Sequence, residues 1–72
     1  MNATQCRMAR AGLRWGVRDL ARYAGVAAST VQRIERDEDV RVSRYHTVKA
    51  TLERAGIEFT DGEAPGVRLW CA

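Results

Sequence analysis

Long apolar runs are missing from this sequence of 72 residues. No stretch approaches the roughly 18 consecutive apolar residues of a membrane-spanning helix, so the sequence predicts no membrane partner. Residues 1–15 carry Arg7, Arg10 and Arg14 with no apolar segment among them, which is unlike a secretion signal. We therefore expect a cytoplasmic protein.

Cysteine and histidine are scarce. The two cysteines, Cys6 and Cys71, lie near opposite ends of the sequence, with no second pair and no ligand-like spacing. We expect reduced thiols, with Cys6 as a small buried residue of the first helix and Cys71 in the tail. His46 is the only histidine, so the sequence offers no set of metal ligands. It predicts no metal and no cofactor.

Patterns typical of catalysis are missing as well. The sequence shows no nucleophile paired with a base, no glycine-rich loop that would cradle a phosphate, and no pair of catalytic carboxylates. A single domain of this length is also too small for a deep pocket. We therefore expect that the protein is not an enzyme.

Lysine is nearly absent, because the twelve basic residues are eleven arginines and one lysine. Their distribution is uneven: residues 1–56 have a net charge of +5, and residues 57–72 have a net charge of −2. A positive helical body favours phosphate binding, since neutralising phosphates releases counterions. A solvated basic surface without a partner, or the arginine bias of a GC-rich genome, would give the same composition.

Two short amphipathic helices joined at Gly25 are predicted within residues 16–36. Apolar residues repeat at the spacing of one buried stripe, at Leu20, Ala21, Ala24 and Val26, and then at Val31 and Ile34. The opposite face of the second helix carries small or hydrogen-bonding side chains, at Ala28, Ser29, Gln32, Arg33 and Arg36. Such a face fits a DNA groove, so the pattern favours a helix-turn-helix over a generic helical hairpin.

The remaining helices follow from caps and periodicity. We predict a first helix over residues 4–14 with Thr4 as its cap, and two further helices over 17–24 and 28–36. Acidic residues mark a solvated loop after the third helix. A fourth helix should begin at Ser43, as its cap, and end at Gly56.

The periodicity changes after Gly56. Residues 57–59 and 67–70 alternate apolar and charged side chains around a turn-rich segment, which predicts two short strands. The pair either folds back on the helices or completes a sheet with a second subunit. A domain this small gains stability from such a partner. The candidate dimer contacts are Ile57, Phe59, Val67, Leu69 and Trp70.

The sequence from about residue 5 to residue 59 resembles the lambda-repressor-like helix-turn-helix family, also called the Cro or xenobiotic-response-element family. The resemblance is carried by LARYAGVAASTVQRIE from Leu20 to Glu35, MARAGL from Met8 to Leu13, and YHTVKATLERAGIEF from Tyr45 to Phe59, and it covers about residues 5 to 59. It implies a mainly α, compact domain of four to five helices in residues 1–56. A short β-hairpin or dimer-forming strands would follow in residues 57–72.

The resemblance also implies DNA contacts. In this family the third helix lies in the major groove, which assigns base contacts to Ala28, Ser29, Gln32 and Arg33. Arg33 can bridge guanine O6 and N7, and Gln32 can bridge adenine N6 and N7. Residues around that helix should bind the phosphates. They are Arg18, Arg22, Thr30, Arg36, Arg41, Ser43, Arg44 and Tyr45.

One pair implied by the resemblance is structural. Family members often join an arginine of the first helix to the glutamate that closes the third, and the matching residues are Arg10 and Glu35. The sequence also departs from the family pattern. Val17 replaces the polar residue that often opens the second helix, Ala27 replaces a capping serine or threonine, and Asp37 replaces a glycine.

The expected function is that of a sequence-specific regulator of transcription, bound to double-stranded DNA. It would act as a small homodimeric repressor of the phage, plasmid or anti-CRISPR-associated type, reading an inverted repeat. The alternative is an antitoxin-like or adaptor protein. Its main role would be to bind another protein, and DNA binding would serve autoregulation.

Overall fold

The computed structural model describes residues 1–70, so Cys71 lies outside the described residues. It confirms a mainly α domain that ends in a two-stranded antiparallel hairpin. The elements are α1 (Ala3–Gly12), α2 (Val17–Ala24), α3 (Ala28–Glu35), α4 (Val42–Arg54), β1 (Ile57–Thr60) and β2 (Gly66–Leu69). None of these four helices has the length and apolar character needed to cross a membrane.

Helix α1 begins earlier than predicted, because Asn2 and not Thr4 is its cap. The Asn2 Oδ1 atom accepts a hydrogen bond from the Gln5 backbone N at 2.7 Å, and Gln5 Oε1 accepts one from the Asn2 backbone N at 2.8 Å. This reciprocal capping box satisfies two backbone donors, whereas a Thr4 cap would satisfy one. The prediction for Thr4 was therefore wrong.

The connection between α2 and α3 depends on Gly25. This residue adopts a left-handed conformation with φ of 70°, and its N–H donates back to the end of α2. Glycine takes this conformation without the penalty that a Cβ atom would bring. The turn sends α3 across α2, and the bounds of α2 are those predicted from the sequence.

Helix α4 begins at Val42, with Arg41 in the N-cap position, so the predicted cap at Ser43 was wrong. Ser43 lies within the first turn, where its carbonyl oxygen accepts a hydrogen bond from Thr47 Oγ1 at 2.8 Å. The chain reaches this helix through Asp37, which has a φ of 58° at the end of α3. Asp37 thus adopts the left-handed conformation that a glycine often provides.

A single core lies under all four helices and the hairpin. Its buried members are Cys6, Ala9, Leu20, Ala21, Val31, Ile34, Val48, Leu52 and Ile57. Ile57 is only 3% exposed within this core, so it offers no surface to a second subunit and its prediction as a dimer contact was wrong. Residues 1–56 and the hairpin therefore share their apolar interior.

The hairpin is held to α1 by one buried amide. Gln5 is 2% exposed, and its Nε2 atom donates to the carbonyl oxygens of Thr60 at 2.7 Å and Gly66 at 3.0 Å. Strand β1 lies against α4 and β2 lies against α1. The two strands pair within one chain, with Phe59 opposite Val67, and fold back on the helices.

Candidate nucleic-acid interface

The outward side of α3 combines small and hydrogen-bonding side chains. Successive residues of an α-helix are separated by about 100° around its axis, so Ser29, Gln32, Arg33 and Arg36 share one side. All four are exposed, whereas Ala28 is half-buried. We call these four residues the outward face of α3.

The inward side of α3 is fixed in the core. Val31 is fully buried and Ile34 is 6% exposed. Because both side chains pack among the other helices, α3 cannot rotate about its axis without exposing apolar surface. The outward face is therefore presented by a rigid support.

An ion pair joins helix α1 to the last residue of α3. Arg10 Nε lies 2.8 Å from Glu35 Oε2, and Arg10 Nη2 lies 2.9 Å from Glu35 Oε1. Arg10 Nη1 also donates to the Trp15 carbonyl oxygen at 3.1 Å. The hydrogen bond to Glu35 raises the pKa of Arg10 above its ordinary value, although partial burial opposes the rise. The structure thus contains the pair that the resemblance implies.

Two further contacts to Glu35 were not foreseen from the sequence. The Cys6 thiol lies 3.6 Å from Glu35 Oε2, and Arg7 Nη1 donates to the Glu35 carbonyl oxygen. Burial and the adjacent carboxylate raise the pKa of Cys6 to about 12, so the thiol stays protonated and inert at neutral pH. Residues from one side of α1 therefore hold both the side chain and the main chain of Glu35.

A cleft with arginines along its walls opens where α3 meets the start of α4. Its volume is about 270 Å³. We call it the α3–α4 cleft, and its lining residues are Ser29, Thr30, Arg33, Val40, Arg41 and Arg44. Of residues 1–70, these six include three arginines and no carboxylate. The cleft is therefore strongly positive and suited to an anion.

Five residues predicted from the sequence meet in the α3–α4 cleft. Two of them were assigned to bases, Ser29 and Arg33, and three to phosphates, Thr30, Arg41 and Arg44. Arg33 thus lies where the outward face of α3 joins the cleft. This position allows its long side chain to reach either a base edge or a phosphate.

The other predicted phosphate ligands lie elsewhere. Arg18 and Arg22 are exposed on α2, where Arg22 Nη2 lies 3.4 Å from Asp19 Oδ1 and its guanidinium carbon lies 5.4 Å from the centre of the Tyr23 ring. Ser43 is exposed on α4. Tyr45 is half-buried and its hydroxyl donates to the Met1 carbonyl oxygen at 2.6 Å. Its backbone N–H donates to the Arg41 carbonyl oxygen at 3.0 Å, so both donors of Tyr45 have partners within the protein, and its assignment to a phosphate stays a prediction.

A second cleft lies at the other end of α3, against the first turns of α1. Its volume is about 380 Å³. We call it the α1–α3 cleft, and its lining residues are Asn2, Ala3, Thr4, Arg7, Glu35, Arg36 and Asp37. Arg36 brings the outward face of α3 to its edge. Arg7 also lines this cleft, and no role for it was predicted from the sequence.

The hairpin leaves two large apolar side chains exposed. Leu69 is 44% exposed and Trp70 is 62% exposed, whereas Phe59 and Val67 are half-buried against the core. Trp70 Nε1 donates to Glu58 Oε1 at 2.9 Å, which holds the indole ring against the hairpin. These two residues are the large apolar side chains that the hairpin leaves exposed to a partner.

Potential metal ligands do not cluster in the described part of the chain. Residues 1–70 bring together no group of three or more His, Cys, Asp or Glu side chains able to hold an ion. Comparison of the sequence with protein-family models and with curated proteins gives no match. The candidate binding surfaces of the described residues are the two clefts, the outward face of α3 and the exposed end of the hairpin.

Proposed function

We propose that the protein binds double-stranded DNA in a sequence-specific way, with α2, the Gly25 turn and α3 as its helix-turn-helix. The observation that carries this proposal is the continuity between the outward face of α3 and the α3–α4 cleft. A polar face for base edges adjoins a site with three arginines and no carboxylate, within residues 1–70. Specific protein–DNA interfaces need both kinds of contact side by side.

Base recognition belongs to the outward face of α3 in this proposal. Gln32 and Arg33 supply bidentate hydrogen bonds to adenine and guanine, each favouring the correct base by about 1–3 kcal/mol. Ala28 and Ser29 are short, so the start of α3 can approach the floor of the major groove closely. Ala28 fits against an apolar group such as a thymine methyl.

Phosphate binding belongs to the α3–α4 cleft. Arg33, Arg41 and Arg44 line a space of about 270 Å³, and Thr30 adds a hydroxyl. Each phosphate that these residues neutralise releases counterions, which gives affinity without sequence preference. The exposed residues Arg18, Arg22, Arg36 and Ser43 lie outside this cleft and would add further contacts to the DNA backbone.

A homodimer extends the proposal to the regulation of transcription. The exposed Leu69 and Trp70 provide apolar contact area for a second copy, and neither residue lines the α3–α4 cleft. Two copies related by a twofold axis would read an inverted repeat with half-sites about 34 Å apart. The protein then acts as a small cytoplasmic repressor that excludes other proteins from its site, without catalysis.

Selection from a library of random duplexes tests this proposal. We expect the full chain to enrich one inverted repeat, with half-site centres about one helical turn apart. The Gln32→Ala variant should lose preference at one base pair of each half-site. Arg54→Gln serves as a matched control, since Arg54 is exposed at the far end of α4 and lines neither cleft. A wild-type library that stays random after selection would contradict sequence-specific binding.

A protein-binding role is the second candidate, and the exposed pair Leu69 and Trp70 is the observation that favours it. Large exposed apolar groups often mark a protein interface. An antitoxin-like or adaptor protein would use them to hold a different protein and would bind DNA only for autoregulation. Enrichment of an inverted repeat by the isolated chain favours the regulator. Enrichment only when a neighbouring gene's product is added favours the adaptor.

A further inference from the structure

We propose that the α1–α3 cleft binds a second phosphate of the DNA backbone, with Arg7 as its main ligand. This inference rests on the proposed function, because it concerns the same outward face of α3. It adds a phosphate contact from α1. For this helix the resemblance implied only the structural ion pair of Arg10 with Glu35.

Arg7 is held in place before any ligand arrives. Its Nη1 atom donates to the Glu35 carbonyl oxygen, and its Nη2 atom donates to Thr4 Oγ1 at 3.3 Å. A guanidinium has five N–H donors, so about three remain available at the edge of the cleft. Because the side chain is already ordered, a phosphate bound to it would cost less conformational entropy than one bound to a free arginine.

Arg36 connects this cleft with the surface that would face DNA. It lies on the outward face of α3 and also lines the α1–α3 cleft. Helix α3 has eight residues, so its outward face is about 12 Å long. The α3–α4 cleft begins with Ser29 near one end of this face, and the α1–α3 cleft meets the other end. A DNA backbone that leaves one cleft therefore has a second positive site within reach.

The charges around the α1–α3 cleft are sufficient to bind a single phosphate. Arg7 and Arg36 are positive, and Asp37 is negative on the same rim. The Glu35 carboxylate adds no free charge, since Arg10 neutralises it on the buried side. A small positive excess remains, against three unopposed arginines in the α3–α4 cleft. This site should therefore position the DNA and contribute less affinity than the α3–α4 cleft.

The salt dependence of binding to a duplex of arbitrary sequence tests the proposal. Arg7→Gln should reduce the slope of log affinity against log salt concentration by about 0.9, the value of one phosphate contact. Between about 50 and 200 mM salt, this corresponds to a roughly threefold smaller loss of affinity than in wild type. Arg7→Lys, which keeps the charge, should restore most of the slope. Arg54→Gln should leave it unchanged.

Several outcomes would overturn the second site. An Arg7→Gln slope equal to that of wild type would assign Arg7 a structural role alone, even if the variant melts at a lower temperature. If Arg7→Gln does not fold, NMR of the wild type provides a second test. The duplex is added, and the Nε–H resonances of Arg7 and Arg36 are followed for shifts. Movement of both supports the site. Movement of Arg33 and Arg44 alone contradicts it and leaves the proposed function intact, whereas a wild type that binds no duplex contradicts both.

Discussion

Arg10 and Glu35 are joined by two hydrogen bonds, of 2.8 and 2.9 Å, which connect the last turn of α1 to the last residue of α3. Glu35 is 8% exposed, so its charge is compensated inside the protein and hardly at all by water. An arginine–carboxylate pair of this kind sets direction as well as energy, because its donors are fixed in a plane. The angle of α3 against α1 depends on it.

Loss of this pair should lower stability. Glu35→Gln keeps the side-chain volume but removes the charge that compensates Arg10, which is partly buried. We expect the free energy of unfolding to fall by about 2 kcal/mol, below the range for fully buried pairs because part of Arg10 reaches water. Thermal unfolding measures the loss. The matched change Glu38→Gln, at an exposed residue, should have little effect, and equal melting temperatures for both variants would refute the structural role.

Stability should also depend on Cys6 at high pH. Burial raises the pKa of its thiol from 9.0 to about 12, so the folded state holds this proton more tightly than the unfolded chain does. The stabilisation is complete below pH 9 and is lost as the pH rises from 9 towards 12. Between pH 9 and 12 the free energy of unfolding of the wild type should fall faster than that of Cys6→Ala, by up to about 1.4 kcal/mol per pH unit. Urea unfolding at several pH values measures this difference. If the free energy of unfolding changes with pH in the same way for the wild type and Cys6→Ala, the expectation is contradicted.

Gly56 and Gly12 should respond to alanine in opposite ways. Gly56 has a φ of 109°, and a Cβ atom there would lie 2.6 Å from the Trp70 carbonyl oxygen, so Gly56→Ala should destabilise the protein by more than about 1 kcal/mol. Gly12 ends α1 with open space around it, and Gly12→Ala should stabilise by up to about 1 kcal/mol. Chemical denaturation of both variants measures the contrast, and a tolerated Gly56→Ala would contradict the tight contact.

Gln5 should control the attachment of the hairpin. Gln5→Leu leaves the partly buried carbonyl oxygens of Thr60 and Gly66 without their donor and removes the Gln5 half of the α1 capping box, at an expected cost of about 1–3 kcal/mol. Amide hydrogen exchange should then become faster in the hairpin than in α2 and α3. Equal acceleration throughout the domain would show instead that the hairpin does not open separately from the helices.

The connection from α2 to α3 was the most predictable part of the fold. Gly25 can adopt its left-handed conformation because it has no Cβ atom, so the turn depends on this residue alone. The apolar residues Val31 and Ile34 have the spacing of a helix that is buried on one side. The hairpin was also predictable, because alternation around a turn-rich segment is a short-range signal. Its attachment to α1 was not, since Gln5 reaches Thr60 and Gly66 only after the chain has folded.

Predictions at helix ends and surfaces failed for a related reason. Asn2 and Thr4 are both good caps, and only the capping box with Gln5 decides between them. Ile57 has the pattern of a strand residue, but the pattern does not say whether its apolar side meets a second copy or its own core. The contact of Arg7 with Glu35 was not predicted, because it exists only once α1 and α3 have packed together. Each of these outcomes depends on a partner distant in sequence or on competition between neighbours.

The most direct test of the account is the set of resonances that move when the full chain binds a duplex recovered by selection. If α3 reads DNA, the largest changes will occur at Gln32 and Arg33 on the outward face of α3, and at Arg41 and Arg44 in the α3–α4 cleft. Changes confined to Leu69, Trp70 and the rest of the hairpin, with α3 unaffected, would contradict the claim that α3 reads DNA.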